Sequence, residues 1–383
     1  MLSEKISVRA LAEQGAQSGD IDARAQASVK PAEGARLHRL RQKSAPEGYT
    51  PEVALSAVPV IEDVEFTVSG RADGVIFGED AVTIDEIKTT LRALDSVTQA
   101  DNPAHWAQAK CYGHMCALEY GFSEVSVRLT YLHALTGETR QITRAFSAEE
   151  LDDFFAALLK KRVRWVRLAA ARREELLRSC RELLFPFDSF RSGQRRFAGA
   201  VYRSVTDARD LIALAPTGTG KTISTLFPAL KAMEEGGCER IFYFTAKETA
   251  RAAAAGAVKI LTTRGLFAAA IVLTAKEKLC PNFRCECNPD ACGRARGHFD
   301  RVDDARYDAL GRADFFDRES VSALAEEYNV CPFELALDLS LNCDIIICDY
   351  NYGIDPKVYL KRFFSEPEGK FVFLCDEAHN LPD

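Results

Sequence analysis

No stretch of this sequence approaches the ~18 uninterrupted apolar residues that a membrane span requires. Its opening, MLSEKISVRALAEQG, is charged and polar where a secretory leader would carry an apolar core. A cytoplasmic protein with no membrane partner is expected. An excess of positive charge is also lacking, since the formal net charge is −7. This argues against gripping duplex DNA by bulk charge, whose usual mark is a basic patch. It leaves room for a narrow groove that tracks a single strand. Internal repeats and low-complexity tracts are missing too, so solenoids and disordered tails are excluded.

Apolar residues are present in quantity, 47% of a 383-residue chain, enough for two or three cored domains. Cysteine is also plentiful. In a reducing compartment, 12 cysteines point to metal or core packing rather than disulfides. Five of the 12 fall between Cys280 and Cys331; the scattered remainder read as small core residues.

The chain changes character twice. Residues 1–48 read as weakly helical, with EGARLHRLRQK, from Glu33, as one amphipathic helix. PVIEDVEFTVSGRADGVIF, then GED, then AVTIDEIKTT reads as strands around a tight turn. A helix follows, with Asn102 as its cap and Pro103 at its first position. A further hairpin turns at Thr136–Glu138. Residues 148–184 form a charged, aliphatic helical connector. Beyond it, short apolar segments (DLIALAP, RIFYFTA, AAIVLTA, CDIIICDY, KFVFLCDE) alternate with helical ones, the pattern of a parallel sheet covered by helices.

APTGTGKT, Ala215–Thr222, sits between an expected strand and an expected helix. In such a loop Gly218, Thr219 and Gly220 curl so that backbone amides face a polyphosphate. Lys221 reaches the β- and γ-phosphates, and Thr222 sets its hydroxyl on Mg²⁺. The first loop position is Ala215 where the strict pattern has glycine. DEAH, Asp376–His379, follows the segment FVFLC. A carboxylate at such a strand tip lies where ligands bind; Asp376 would hold Mg²⁺ through water, and Glu377 would orient the attacking water. Gln194 offers a donor and an acceptor to an adenine edge.

Cys280, Cys287, Cys292 and Cys331 supply four thiolates, with Cys285 spare. Their spacing leaves zinc and an iron–sulfur cluster both open. In the first part of the chain, a four-residue turn at Gly78–Ala81 makes Asp73 face Glu86, and Lys88 points the same way. Two carboxylates and a lysine then converge as a Mg²⁺ or Mn²⁺ site with a cation beside it. Gln108 and Tyr112 share one helical face and flank it. His38 is a further candidate ligand, and Asp85 points to the opposite side.

RSGQ, APTGTGKT, YFTAKETAR, LTAKEKLC, VCPFELAL, DYNYGIDPKVYL and DEAHN occur in that order. Through these motifs residues 185–383 resemble the superfamily 2 iron–sulfur DNA helicases of the XPD and DinG type. The resemblance implies a RecA-like P-loop domain with a cysteine insert at about 279–332 and a 4Fe–4S cluster on Cys280, Cys287, Cys292 and Cys331. It also implies 5′-to-3′ movement on single-stranded or forked DNA contacted by Thr245, Ala246 and Lys247. EGARLH, GRADGV, DEIKTT and QAKCY give residues 1–147 a resemblance to RecB-like PD-(D/E)XK nucleases, an α+β fold. It implies metal on His38, Asp73 and Glu86, with Glu86 and Lys88 catalytic. The fold class expected is therefore α/β, with an α+β nuclease-like domain in front.

The reading from sequence is an ATP-dependent DNA helicase with an N-terminal nuclease in DNA repair or processing. The alternative is a translocase whose N-terminal domain only binds nucleic acid and whose cysteines hold structural zinc. The family's second ATPase lobe does not follow DEAHNLPD here, so the chain is expected to be a fragment that hydrolyses ATP poorly by itself.

Overall fold

The structure of the protein, a computed structural model, describes residues 1–25, 31–43, 45, 48–78, 81–98, 102–216, 218–356, 358–364 and 369–381. Turn residues 79–80 and Thr217 of the phosphate loop lie outside them. The chain divides into two compact units, residues 1–170 with 286–300, and residues 171–285 with 301–383.

The first unit is built on β1 (Leu2–Ser7), β2 (Tyr49–Ala57), β3 (Val60–Ile61), β4 (Val64–Phe77), β5 (Val82–Thr90), β6 (Glu124–His133) and β7 (Thr139–Ser147). The main order is β1-β4-β5-β6-β7, with β2 and β3 also paired to β4. Its helices are α1 (Val8–Gly15), α2 (Pro31–Lys43), α3 (Pro103–Tyr120) and residues 148–170 of the long α4 (Ala148–Glu182), whose remainder belongs to the second unit. Strands β4 and β5 are antiparallel, with Val75 opposite Ile84 and Phe77 opposite Val82, the expected hairpin register. β5 lies parallel to β6 and is buried over most of its length, as a strand covered on both faces must be. Val64, Phe66, Val68, Ile84, Val127 and Leu129 form the sheet's share of the core.

One expectation fails at the start of the chain. Residues 2–7 form a strand, not a helix, parallel to β4, pairing Leu2 with Val64 and Ser7 with Ser69. LSEKIS carries no strong period, and a strand partner far along the chain decides its state. Asn102 does occupy the cap position of α3 but makes no capping bond there. Its amide contacts His105 Nε2 at 2.9 Å instead.

Segment 286–300 packs within this first unit, on residues 19–24. Ile21 N donates to Ala295 O at 2.9 Å and Ala23 N to Cys287 O at 2.7 Å. Gly297 N donates to Asp20 Oδ1 at 2.6 Å, and Arg24 pairs with Asp290 at 2.7 Å.

The second unit carries β8 (Arg240–Thr245), β9 (Ala270–Val272), β10 (Phe315–Phe316), β11 (Ile345–Asp349) and β12 (Phe371–Cys375). They form a sheet of order β10-β9-β11-β8-β12, parallel at each pairing. Helices α5 (Gln194–Thr206), α6 (Lys221–Glu234) and α7 (Glu248–Thr263) help to cover it. Leu226, Leu230 and Met233 of α6 meet Ile241, Tyr243 and Ile345 in its core.

The strand expected at DLIALAP is not formed: residues 210–216 are irregular. Ile212 and Leu214 stand fully exposed, at 100% and 103% of their reference areas. An apolar run becomes a strand only where a ladder partner exists, and among the described residues this one has none. The phosphate loop therefore leads into α6 as expected, but not out of the sheet.

Candidate functional sites

In the second unit the phosphate loop is shaped by glycine. Gly218 and Gly220 sit at φ +80° and +76°, conformations that L side chains rarely adopt. A β-carbon on Gly220 would lie 2.5 Å from Gln194 Nε2. Lys221 begins α6, so the loop presents its amides at a helix N-terminus, a favourable seat for phosphate.

Across from the loop lies the acidic pair. Asp376 N donates to Phe244 O at 3.0 Å, which fixes the residue at the tip of β12 beside β8. Tyr350 Oη donates to Asp376 O at 2.6 Å. Glu377 takes a left-handed backbone, φ +59°, and its Oε1 accepts from Lys221 Nζ at 3.3 Å. That hydrogen bond, with the charge of Lys221 behind it, holds the Glu377 carboxyl below its ordinary value. The lysine meant for phosphate and the glutamate meant for water thus hold each other. Tyr243 Oη donates to Asp376 Oδ2 at 3.3 Å, and Thr222 lies close enough to act on the same phenol. Glycine backbone, a lysine, a hydroxyl and two carboxylates match the donor set of a magnesium nucleotide.

Gln194 lies against the phosphate loop. It is buried, its Oε1 accepts from Arg191 N at 2.9 Å and its Nε2 reaches Gly220 O at 3.4 Å. Both ends of the amide are engaged by backbone, so it ties its own loop to the phosphate loop. Arg191 adds a second tie, from Nη1 to Gly218 O. Of the residues expected to touch DNA, Ala246 and Lys247 are exposed and Thr245 is buried.

In the first unit the hairpin brings its acidic residues together as its register requires. Asp73 is held from several sides. Ile87 N donates to its Oδ2 at 2.7 Å, and His38 Nδ1 lies 3.5 Å from its Oδ1. Gln42 Nε2 and Tyr49 Oη donate to its backbone carbonyl at 2.9 and 3.3 Å. A β-carbon at Gly74 would fall 1.9 Å from the Tyr49 ring, so glycine lets that ring close over the strand. Glu86 is 1% exposed. Its Oε1 accepts from Lys88 Nζ at 2.8 Å, and the same ammonium donates to Gln108 Oε1 at 2.9 Å. Tyr112, one helical turn on, is buried beside them; burial drives its phenol up, and Glu86 adds to the rise.

Glu86 Oε2 is buried and has no hydrogen-bond partner. A buried charged oxygen left unpaired is costly. Burial drives the Glu86 carboxyl up to about 7; Lys88 opposes the rise and Asp73 adds to it. Asp85, the next residue back, faces the other side as expected. It is buried and accepts from Arg128 and Thr130.

Among the described residues no group of three or more His, Cys, Asp or Glu side chains is disposed to hold a metal ion. His38, Asp73 and Glu86 are therefore not an all-protein cage. Mg²⁺ more often takes one or two carboxylates and completes its shell with water and substrate phosphate, and Asp73 with the orphaned Glu86 oxygen fits that pattern. Of the four cysteines, Cys287 and Cys292 fall in the first unit, Cys280 and Cys331 in the second. All four are half-buried, and Cys285 is exposed.

Gln42, Tyr49, Tyr243 and Arg191 were not singled out from sequence. Gln42 lies one helical turn beyond His38 and was findable by spacing. Tyr243, inside the apolar run FYF, carried no signal.

A glycine-shaped loop entering a helix, set against an acidic pair at the tip of a parallel strand, defines a RecA-like nucleotide-binding domain. Residues 268–383 match the family model described as DEAD_2. The chain is 24% identical over 241 residues to the regulator of telomere elongation helicase 1 homolog of Caenorhabditis elegans, covering 51% of this chain and 24% of that protein. It is 24% identical over 230 residues to the XPD helicase subunit of general transcription and DNA repair factor IIH of Arabidopsis thaliana, covering 51% and 30%. A solved XPD helicase structure is similar at a TM-score of 0.35 and 16% identity, covering 51% of this chain and 34% of that one. The chain thus spans about a quarter to a third of the length of these curated relatives. Over residues 268–383 the second unit thus resembles the helicase domains that the DEAD_2 model describes. No helix among the described residues is long and apolar enough to cross a membrane.

Proposed function

We propose that this protein is an ATP-dependent DNA helicase with a metal-dependent DNA nuclease as its first unit, acting in DNA repair or processing. The motor reading is carried by the meeting of Lys221 and Glu377 at 3.3 Å, two residues 156 positions apart in the chain. Nucleotide phosphate draws Lys221 away and frees Glu377 to orient water. Mg²⁺ on Thr222 and Asp376 supplies charge neutralisation when bound. Ala246 and Lys247, exposed beyond β8, face a single strand, with 5′-to-3′ movement and a forked substrate as the family resemblance has it. That resemblance also supports a 4Fe–4S cluster on Cys280, Cys287, Cys292 and Cys331. Anaerobically prepared protein is then brown, with absorbance near ~400 nm; colourless protein carrying stoichiometric zinc would point to the structural-staple reading.

The nuclease reading is carried by the orphaned Glu86 oxygen beside Asp73 and Lys88. A divalent cation there supplies an activated water and a clamp on phosphate. Lys88 Nζ, bound to both Glu86 and Gln108, is placed to hold that water or to meet developing charge. The protein should nick DNA with Mn²⁺ and not in EDTA. If no divalent ion supports cleavage, the first unit only grips nucleic acid.

A further inference from the structure

We propose that Tyr243 is a positioning residue of the nucleotide site, its phenol setting the Thr222 hydroxyl and the Asp376 carboxylate for the Mg²⁺ that accompanies nucleotide. The inference rests on the ATP-site reading above and goes beyond it to a residue outside the loop and the acidic motif.

Tyr243 lies mid-strand in β8, opposite Ile347 of β11 and Leu374 of β12. Asp376, two residues past Leu374, continues the same side of the sheet. The ring is 2% exposed and packs in the core with Ile223 and Leu226 of α6. Its oxygen emerges at the site, 3.3 Å from Asp376 Oδ2. The Thr222 hydroxyl lies near enough to the same phenol to favour its ionised form, opposing the rise that burial causes.

The direction of the chain follows from the partners. A carboxylate only accepts, so the phenolic proton points to Asp376. The phenol's lone pairs then take the Thr222 proton. Thr222 Oγ1 is left with lone pairs turned away from its donated hydrogen, the arrangement a hydroxyl ligand to Mg²⁺ needs. Asp376 Oδ1 is left for the metal's water shell.

Tyr243→Phe keeps the ring and removes only the oxygen. With the intact protein and a fluorescent ATP analogue, the Mg²⁺ concentration giving half of the Mg²⁺-dependent binding should rise about fivefold to tenfold, the loss of one hydrogen bond of ordinary strength, as its 3.3 Å length suits. Binding of the analogue in EDTA should stay within about twofold, and melting of the nucleotide-free protein should be unchanged. In a Thr222→Val background, where the hydroxyl is gone, the added effect of Tyr243→Phe should shrink. An unshifted Mg²⁺ dependence, or an equal weakening with and without Mg²⁺, overturns the assignment. Lys221→Ala in the same assay keeps the outcomes apart: if that variant binds nucleotide normally, it is the ATP-site reading that fails. Should Tyr243→Phe prove poorly folded, the Thr222→Val cycle run with Tyr243→His decides by the same coupling.

Discussion

Glu86→Gln is expected to lower Mn²⁺-dependent DNA cleavage by about 10³-fold, because the cation loses a charged ligand and with it several kcal/mol of transition-state stabilisation. The substitution keeps the volume of a side chain that is 1% exposed and places an amide where Oε2 has no partner. The fold should survive, and the melting temperature without metal should hold or rise, since a buried charge has been removed. Asp85→Asn makes the sharpest contrast. One residue away, that carboxylate pairs with Arg128 at 2.8 Å and faces away from the site; its loss should cost stability and leave cleavage per folded molecule near normal. Gel-based nicking with melting curves on both variants reads the difference. Equal loss of cleavage in the two would mean that the hairpin's two faces are misassigned.

The same carboxyl gives a pH signature. Glu86 in the metal-free fold titrates at about 7 against an ordinary 4.5. Between those values the folded chain holds a proton that the unfolded chain has released. This contribution to stability is therefore full below the lower value and is lost as pH rises through the upper one. A divalent ion competes with that proton, so the gain in melting temperature on adding Mn²⁺ should be larger near about pH 8 than near about pH 5.5. In Glu86→Gln the gain should be small at both.

Much of this site could be read before any coordinates, and the reason is local geometry. A tight turn fixes hairpin register, so Asp73, Glu86 and Lys88 fell on one side by counting. Gln108 and Tyr112 followed from helical spacing. What escaped depended on partners distant in sequence. Residues 2–7 became a strand because β4 pairs with them, and no period in LSEKIS announces it. Residues 210–216 look like a core strand but have no ladder among the described residues. The packing of 286–300 on residues 19–24 joins segments whose letters give no hint of each other. The bonds of Gln194 to Arg191 N and Gly220 O also join two loops whose meeting sequence spacing does not show.

Lys221→Ala should weaken nucleotide binding by about 10- to 100-fold, the worth of a charge-assisted bond to phosphate at roughly 1.5–3 kcal/mol. The size of the loss is limited because the lysine is not idle beforehand. Its Nζ sits 3.3 Å from Glu377 Oε1, so nucleotide gains a phosphate contact while an ion pair is broken. That competition predicts opposite behaviour for the partner. Glu377→Gln removes the charge that detains Lys221 and should bind nucleotide as tightly as the natural protein or more tightly, while it slows any hydrolysis by leaving the water unoriented. The Glu377 carboxyl, now held below its ordinary value by Lys221, should move up in Lys221→Ala. Titrating both variants with a fluorescent ATP analogue, with and without single-stranded DNA, tests the pair together. If Lys221→Ala and Glu377→Gln weaken binding alike, the two residues are a structural bridge and not the two halves of a nucleotide site, and the motor reading loses its main support.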